Sequence, residues 1–253
     1  MLILLPPSET KRPGGASRAL DLEALAMSEL DPQRRAVVDA LVQLSADADA
    51  AARVLKLGAR QLADVEANRQ LLTSPTRPAI ERYTGVLYDA LSVSTLEPAS
   101  RRWLGAHVMI HSAPFGPVGA LDAIPAYRLG AGTSLPGLPP MRRLWADAVT
   151  RSLARAAPTF VLDLRSEAYV SLGPVPAEVP SAYVRVVSEG EDGAVRALNH
   201  FNKHAKGELV RRLAQERPRV RSARSLQAWA RAAGVALRPV EGSTTWTLTI
   251  PAP

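Results

Sequence analysis

Hydroxyls and cations gather in the loop that follows the first apolar run of the chain. Leu2-Ile-Leu-Leu5 gives way at Pro6-Pro7 to Ser8, Glu9, Thr10, Lys11 and Arg12. Four consecutive apolar residues read as a strand buried on both faces, because a half-exposed strand alternates apolar with polar. Ser8, Thr10 and Lys11 then stand at the carboxyl end of a core strand, where open α/β sheets bind ligands, and their chemistry suits a phosphate. The spacing is not that of a GxxxxGK[ST] phosphate loop, and a solvated turn beside a core strand is the other reading.

Other segments set charge on apolar ground. In Ile124-Pro-Ala-Tyr-Arg-Leu129 an arginine held between apolar residues suits Tyr127 and Arg128 to an inward contact with an anion or carboxylate. Over residues 197–216 the spacing predicts a helix with Leu198, Phe201, Ala205, Leu209 and Leu213 on its core stripe. Lys203 and Lys206 then lie on its flank, where they line a groove or snorkel over a hydrophobic edge, and Arg211, Arg212 and Arg217 extend the basic side. A helical hairpin is expected at about 46–68, with Gly58 as the left-handed residue that stops its first helix. Arg53, Lys56 and Arg60 surround that turn with cations, which suits duplex phosphates, while an ordinary corner between helices is the plain alternative.

The four histidines form two i, i+4 pairs, His107/His111 and His200/His204. The first pair falls in or beside a predicted strand over 107–110, where such residues stand about 13 Å apart, and the second flanks Lys203. No metal site and no cofactor is expected.

Taken in series, these segments resemble the YaaA peroxide-stress protein family. The matches are the opening LILLPPSETK, Arg82-Tyr-Thr-Gly-Val-Leu-Tyr-Asp-Ala-Leu91, Ile124 to Leu129, Leu144-Trp145, Leu162-Asp-Leu-Arg-Ser-Glu-Ala-Tyr169 and Phe201-Asn-Lys-His-Ala-Lys-Gly207, in the family's order. The resemblance implies a single-domain α+β fold, a role in the response to hydrogen peroxide that limits damage from intracellular iron and oxidised DNA, and a helix-hairpin-helix element. It adds Ser166 and Tyr169 to the expected site, and it implies that Gly207 lets a ligand or a neighbouring chain approach its helix. The chain departs from the family at Val118-Gly119, where an Arg-Pro pair is usual, at Ala168, where an acid is usual, and at Arg60, where the hairpin's second glycine is missing.

Length and composition set the frame. The 253 residues, 47% of them apolar, suffice for one compact α+β unit over 1–253 with a mixed sheet and clustered helices. A net charge of +7 and a pI near 10.2 favour anionic partners. The absence of cysteine excludes disulfides, thiolate catalysis and cysteine-ligated metals, and with no signal peptide or membrane span the expected address is the cytoplasm. The leading expectation is non-specific DNA binding through a basic cleft of Lys11, Arg128, Lys203 and Lys206 together with the hairpin. The alternative is an enzyme acting on a small phosphorylated or carboxylated metabolite in that cleft, with Lys203 or Tyr169 as base if its pKa is lowered.

The elements that must carry these groups are read from periodicity and breakers. Helix is expected from about Leu20 to Asn68, with Asp31-Pro32 opening one segment, and again around Leu144 to Leu153 and from Ser225 to Ala233, capped by Ser225. Strands are expected at Thr159–Leu164 and Tyr183–Val187, with a hairpin pairing Val235–Val240 and Thr244–Ile250 around Glu241-Gly242-Ser243.

Overall fold

The computed structural model describes residues 1–16, 18–58, 61–189, 195–196 and 199–251. In chain order the elements are β1 (Leu2–Leu5), α1 (Asp31–Leu44), α2 (Ala48–Leu55), α3 (Ala63–Arg69), β2 (Arg77–Pro78), α4 (Ala79–Arg82), α5 (Val86–Leu91), α6 (Pro98–His107), β3 (Val108–Ser112), β4 (Gly116–Gly119), β5 (Ala123–Ile124) and α7 (Met141–Ala156). They continue with β6 (Val161–Asp163), α8 (Glu167–Val170), β7 (Ser181–Glu189), β8 (Val195–Arg196), α9 (Asn199–Glu216), α10 (Ala223–Ala232), β9 (Leu237–Pro239) and β10 (Thr245–Pro251). The fold is α+β, as the composition and spacing predict.

The main sheet runs β4-β3-β1-β6-β7-β10-β9, with β8 paired to β7, and β2 and β5 form a separate ribbon. β3, β1, β6, β7 and β10 are mutually parallel, while β4 and β9 close the edges antiparallel. Among the parallel strands the spatial order is second, first, third, fourth, fifth. The winding therefore changes direction at β1, and a crevice opens beyond the carboxyl ends of β1 and β6, the place where parallel sheets receive ligands. The apolar run at 2–5 supplies the middle of this arrangement, with Ile3, Leu4 and Leu5 fully buried.

Two buried arginines tie loops to this frame. Arg34 of α1 donates from Nε to the Phe115 carbonyl at 2.9 Å, and its terminal nitrogens reach Asp31, the Ala26 carbonyl and the Pro117 carbonyl. Arg82, at the end of α4, donates to the carbonyls of Ile124, Pro75 and Arg12. A buried guanidinium is costly unless its donors are met, so each holds its segments in one arrangement.

Several expected elements shift. The stretch from Leu20 to Asn68 is not continuously helical: a short 3-10 turn at Ser28–Leu30 precedes α1, and α2 starts only at Ala48. The Asp47 carboxylate caps α2 by accepting from the amides of Asp49 and Ala50. Lys56, with φ of 53°, takes the left-handed position at the end of α2 that Gly58 was expected to fill. His107 ends α6, and β3 begins one residue later. α10 is capped by Ser222 rather than Ser225, the two serines closing a reciprocal capping box.

The buried face of α9 is wider than the expected stripe. Ala205, Lys206, Leu209, Val210, Leu213 and Ala214 are all buried, whereas Phe201 is 40% exposed. The helix packs against both α5 and β7, and two neighbours cover more of a helix than one. Leu198 lies outside the described residues. Gly207 is the point of closest approach, because a Cβ there would stand 2.2 Å from the Leu87 carbonyl of α5. What approaches at this glycine is α5 of the same chain, in the place where a ligand or a neighbouring chain was expected. Gly207→Ala is expected to lower unfolding free energy by about 3 kcal/mol in urea titrations, whereas Gly132→Ala, with open space around it, changes it by less than about 0.5 kcal/mol.

Candidate functional site

Pro6-Pro7 ends β1 and sends the chain alongside residues 82–84, where Arg12 donates its amide to the Arg82 carbonyl, Thr84 donates to the Thr10 carbonyl, and Lys11 bridges Tyr83. The Ser8, Thr10 and Thr84 hydroxyls form a ladder, with Oγ of Ser8 3.3 Å from Oγ1 of Thr10 and Thr84 donating to Thr10 at 3.0 Å. Gly85, at φ 91°, closes it from below, since a Cβ there would sit 3.2 Å from both the Ser8 and Thr10 hydroxyls.

Lys11 turns its ammonium inward. Nζ donates to the Ser8 carbonyl at 2.9 Å and the Glu9 carbonyl at 3.3 Å, and it lies 4.0 Å from the centre of the Tyr127 ring. Burial, then the charge of Arg128, push its pKa down to about 7, against the opposing pull of Asp64 and Glu9. Around it the Tyr83 and Tyr127 hydroxyls share a 2.8 Å hydrogen bond and Tyr88 donates to the Pro6 carbonyl. Burial raises the pKa of Tyr83, Tyr88, Tyr127 and Tyr169 alike, so each stays a neutral phenol. Tyr169 is therefore unsuited to the role of base. Lys203 is exposed, and the lysines whose pKa is lowered are Lys11 and Lys206.

Arg128 lies beside Lys11 but is already engaged. One terminal nitrogen donates to Glu9 at 3.1 Å, and Nε stands 4.0 Å from Asp64 at the start of α3. Its backbone is pinned from the same helix: buried Asn68 donates to the Arg128 carbonyl at 2.9 Å and accepts from the Arg128 amide at 2.7 Å.

A second group, absent from the expected site, lies next to the first. Arg165 is fully buried and forks onto Asp163 at 2.9 and 2.6 Å, while its other terminal nitrogen donates to the Gly173 carbonyl and to Nδ1 of His111 on β3. His111 must then carry its proton on Nε2, which finds no partner among the described residues, and burial followed by Arg165 holds its pKa well below the usual range. Its ring lies 5.8 Å from that of Tyr169, which joins the two groups. Lys206 faces Asp163 and the Tyr183 ring at 5.9 Å, with its pKa lowered to about 8 by burial, Asp163 opposing. The signal for this group was present in Leu162-Asp-Leu-Arg165, where opposite charges stand two apart at the end of a core strand.

Ser8, Thr10, Lys11, Tyr127, Arg128 and Tyr169 thus come together, with Lys206 adjoining through Asp163. Ser166 is exposed and its carbonyl starts α8. Arg53, Lys56 and Gly58 are exposed at and just past the end of α2, and Arg60 lies outside the described residues. The arginines expected to extend the basic side of α9 are spent elsewhere: Arg211 on the Leu91 and Ser92 carbonyls, Arg212 on Glu216, Arg217 on Glu97. Beyond Tyr169 a hollow of about 230 Å³ is lined by residues that include Thr133, Ser134, Arg142 and Ser171. Among the described residues no group of three or more His, Asp or Glu side chains could hold a metal, and no helix is long and apolar enough to cross a membrane.

The family model described as "Peroxide stress protein YaaA" matches residues 1–238. A UPF0246 protein of Corynebacterium efficiens is 44% identical over 246 residues, spanning 96% of each chain. One from Corynebacterium glutamicum is 43% identical over 93% of this chain and 94% of its own, and one from Streptomyces coelicolor is 40% identical over 84% and 82%.

The lysine at the strand end makes stability pH-dependent with a definite sign. Between about pH 7 and 10.5 the unfolded chain holds the Lys11 proton and the folded chain does not, so this residue's contribution rises with pH over that window. Urea unfolding of Lys11→Met beside the parent is expected to show the variant's relative advantage greatest below pH 7 and shrinking toward pH 10. A constant difference across the range would contradict the assignment.

Proposed function

This chain belongs to the YaaA peroxide stress protein family, and from that premise we propose that it acts in the peroxide response by holding DNA without reading its sequence. The contact surface runs from the strand-end loop at Lys11 and Arg128 to the turn between α2 and α3. The observation that carries this reading is Asp64 at the head of α3, which lies beside Arg128 and acts on Lys11, so the helix leaving the turn abuts the strand-end cations. Arg53 and Lys56 stand exposed before that helix, and several cations neutralising phosphates of one backbone release counterions together, which gives affinity without base reading.

A second reading has its own support. The Glu9 carboxylate already lies on Arg128 beside a lysine of pKa about 7, which is the composition of a pocket for a small phosphorylated or carboxylated molecule with an amine able to take or give a proton. Under this reading Glu9 is the internal stand-in for the ligand's own anion.

Anisotropy titration of labelled duplex, bubble and single-stranded DNA across a salt series separates the two. Duplex binding should weaken steeply with salt, and Arg53→Ala/Lys56→Ala/Arg60→Ala should lose about tenfold in affinity at low salt with a shallower slope. Absence of binding by the parent at about 50 mM salt overturns the DNA reading. In calorimetry with inorganic phosphate, Glu9→Gln is expected to bind severalfold more tightly than the parent if the pocket reading holds.

A further inference from the structure

The last 37 residues hold six arginines against a single carboxylate, Glu241, and so carry +5 of the chain's +7. That imbalance has a definite place in the fold. Between α9 and α10 the segment Arg217-Pro-Arg-Val-Arg-Ser-Ala-Arg224 buries Val220 and turns Arg219 and Arg221 outward on either side of it. The loop is held stiffly. Ser225 Oγ accepts from the amides of Arg221 and Ser222 at 2.9 Å each, and Ser222 Oγ accepts from the amide of Ser225.

α10 continues the pattern. It buries Leu226 and Ala230 against the core, leaving Arg224, Ala228 and Arg231 on its outer face. Arg224 and Arg231 are two turns apart, about 10.5 Å along the axis, with only a methyl group between them. The carboxylates nearby are spent: Glu216 on Arg212 and the Trp229 indole, Glu97 on Arg217. Arg219, Arg221, Arg224, Arg231 and Arg238 are exposed and make no salt bridge among the described residues. Arg221 also acts on the amino group of Met1, at the amino end of β1, whereas Lys11 follows its carboxyl end.

We propose that the α9–α10 loop and the outer face of α10 form a second phosphate-backbone surface, separate from the strand-end cluster, that grips duplex DNA through Arg219, Arg221, Arg224 and Arg231. Guanidiniums spaced along a rigid loop and helix, unscreened by carboxylates, suit a polyanion with regularly repeated charge. A membrane surface fits less well, because the apolar face of α10 is consumed by the core and has nothing to insert. The inference rests on the reading that DNA is the partner.

The test compares duplex binding by the parent, Arg219→Gln/Arg221→Gln/Arg224→Gln/Arg231→Gln, and a charge-matched control on exposed arginines of α7, Arg142→Gln/Arg143→Gln/Arg151→Gln/Arg155→Gln. The α9–α10 variant should melt like the parent, lose about tenfold or more in affinity at low salt, and show a slope of log affinity against log salt shallower by about 2 to 4. The control should change far less. An unchanged slope in the first variant, or an equal loss in the control, overturns this surface while leaving DNA binding standing. A parent that binds no duplex at low salt overturns both.

Discussion

A guanidinium taken out of water must have its donors met, and this fold meets that requirement three times over. Arg34, Arg82 and Arg165 are all fully buried, and between them they hold the segments at 26, 115–117, 12, 75, 124, 163 and 173. Most of these acceptors are backbone carbonyls in loops, which have no ladder of their own to satisfy them. Each arginine thereby does for several irregular segments what a strand neighbour does for a strand. Removing one would leave carbonyls from two or three parts of the chain unpaired at once, a heavier loss than that of a single contact.

The functional ground inherits its precision from that constraint. Arg82 fixes the Arg12 carbonyl, and the preceding Lys11 is held along Tyr83, so the ammonium cannot swing freely into solvent. Arg165 does the same at the neighbouring strand end, orienting His111 and pairing with Asp163, the last residue of β6. The loops at the change of winding are thus positioned by buried charge rather than by apolar packing alone. Lys11, whose pKa burial pushes down to about 7, is the amine at the end of β1.

Much of this was legible in the residues. The apolar run at 2–5 specified a central strand and put Ser8, Thr10 and Lys11 at its carboxyl end, and the breaker Glu241-Gly242-Ser243 specified the β9–β10 hairpin. What escaped was non-local. The partner of Arg165 on β3 is 54 positions away, and spacing within one segment carries no trace of it. Lys206 reads as a flank residue until α5 and β7 are both laid against α9 and widen its buried face. The left-handed stop at Lys56 ran against the preference for glycine, with Gly58 two residues on binding Gln61 through its amide instead. Local propensity names the neighbourhood of a turn better than its residue.

Asn68 is the smallest of these long-range ties. By gripping both the amide and the carbonyl of Arg128, it makes that stretch of backbone a passenger of α3. α3 and the strand-end stretch around Arg128 are therefore tied together at two backbone atoms. The strand-end arginine thus takes its backbone position from α3 and its side-chain position from Glu9, so one residue reports on both segments.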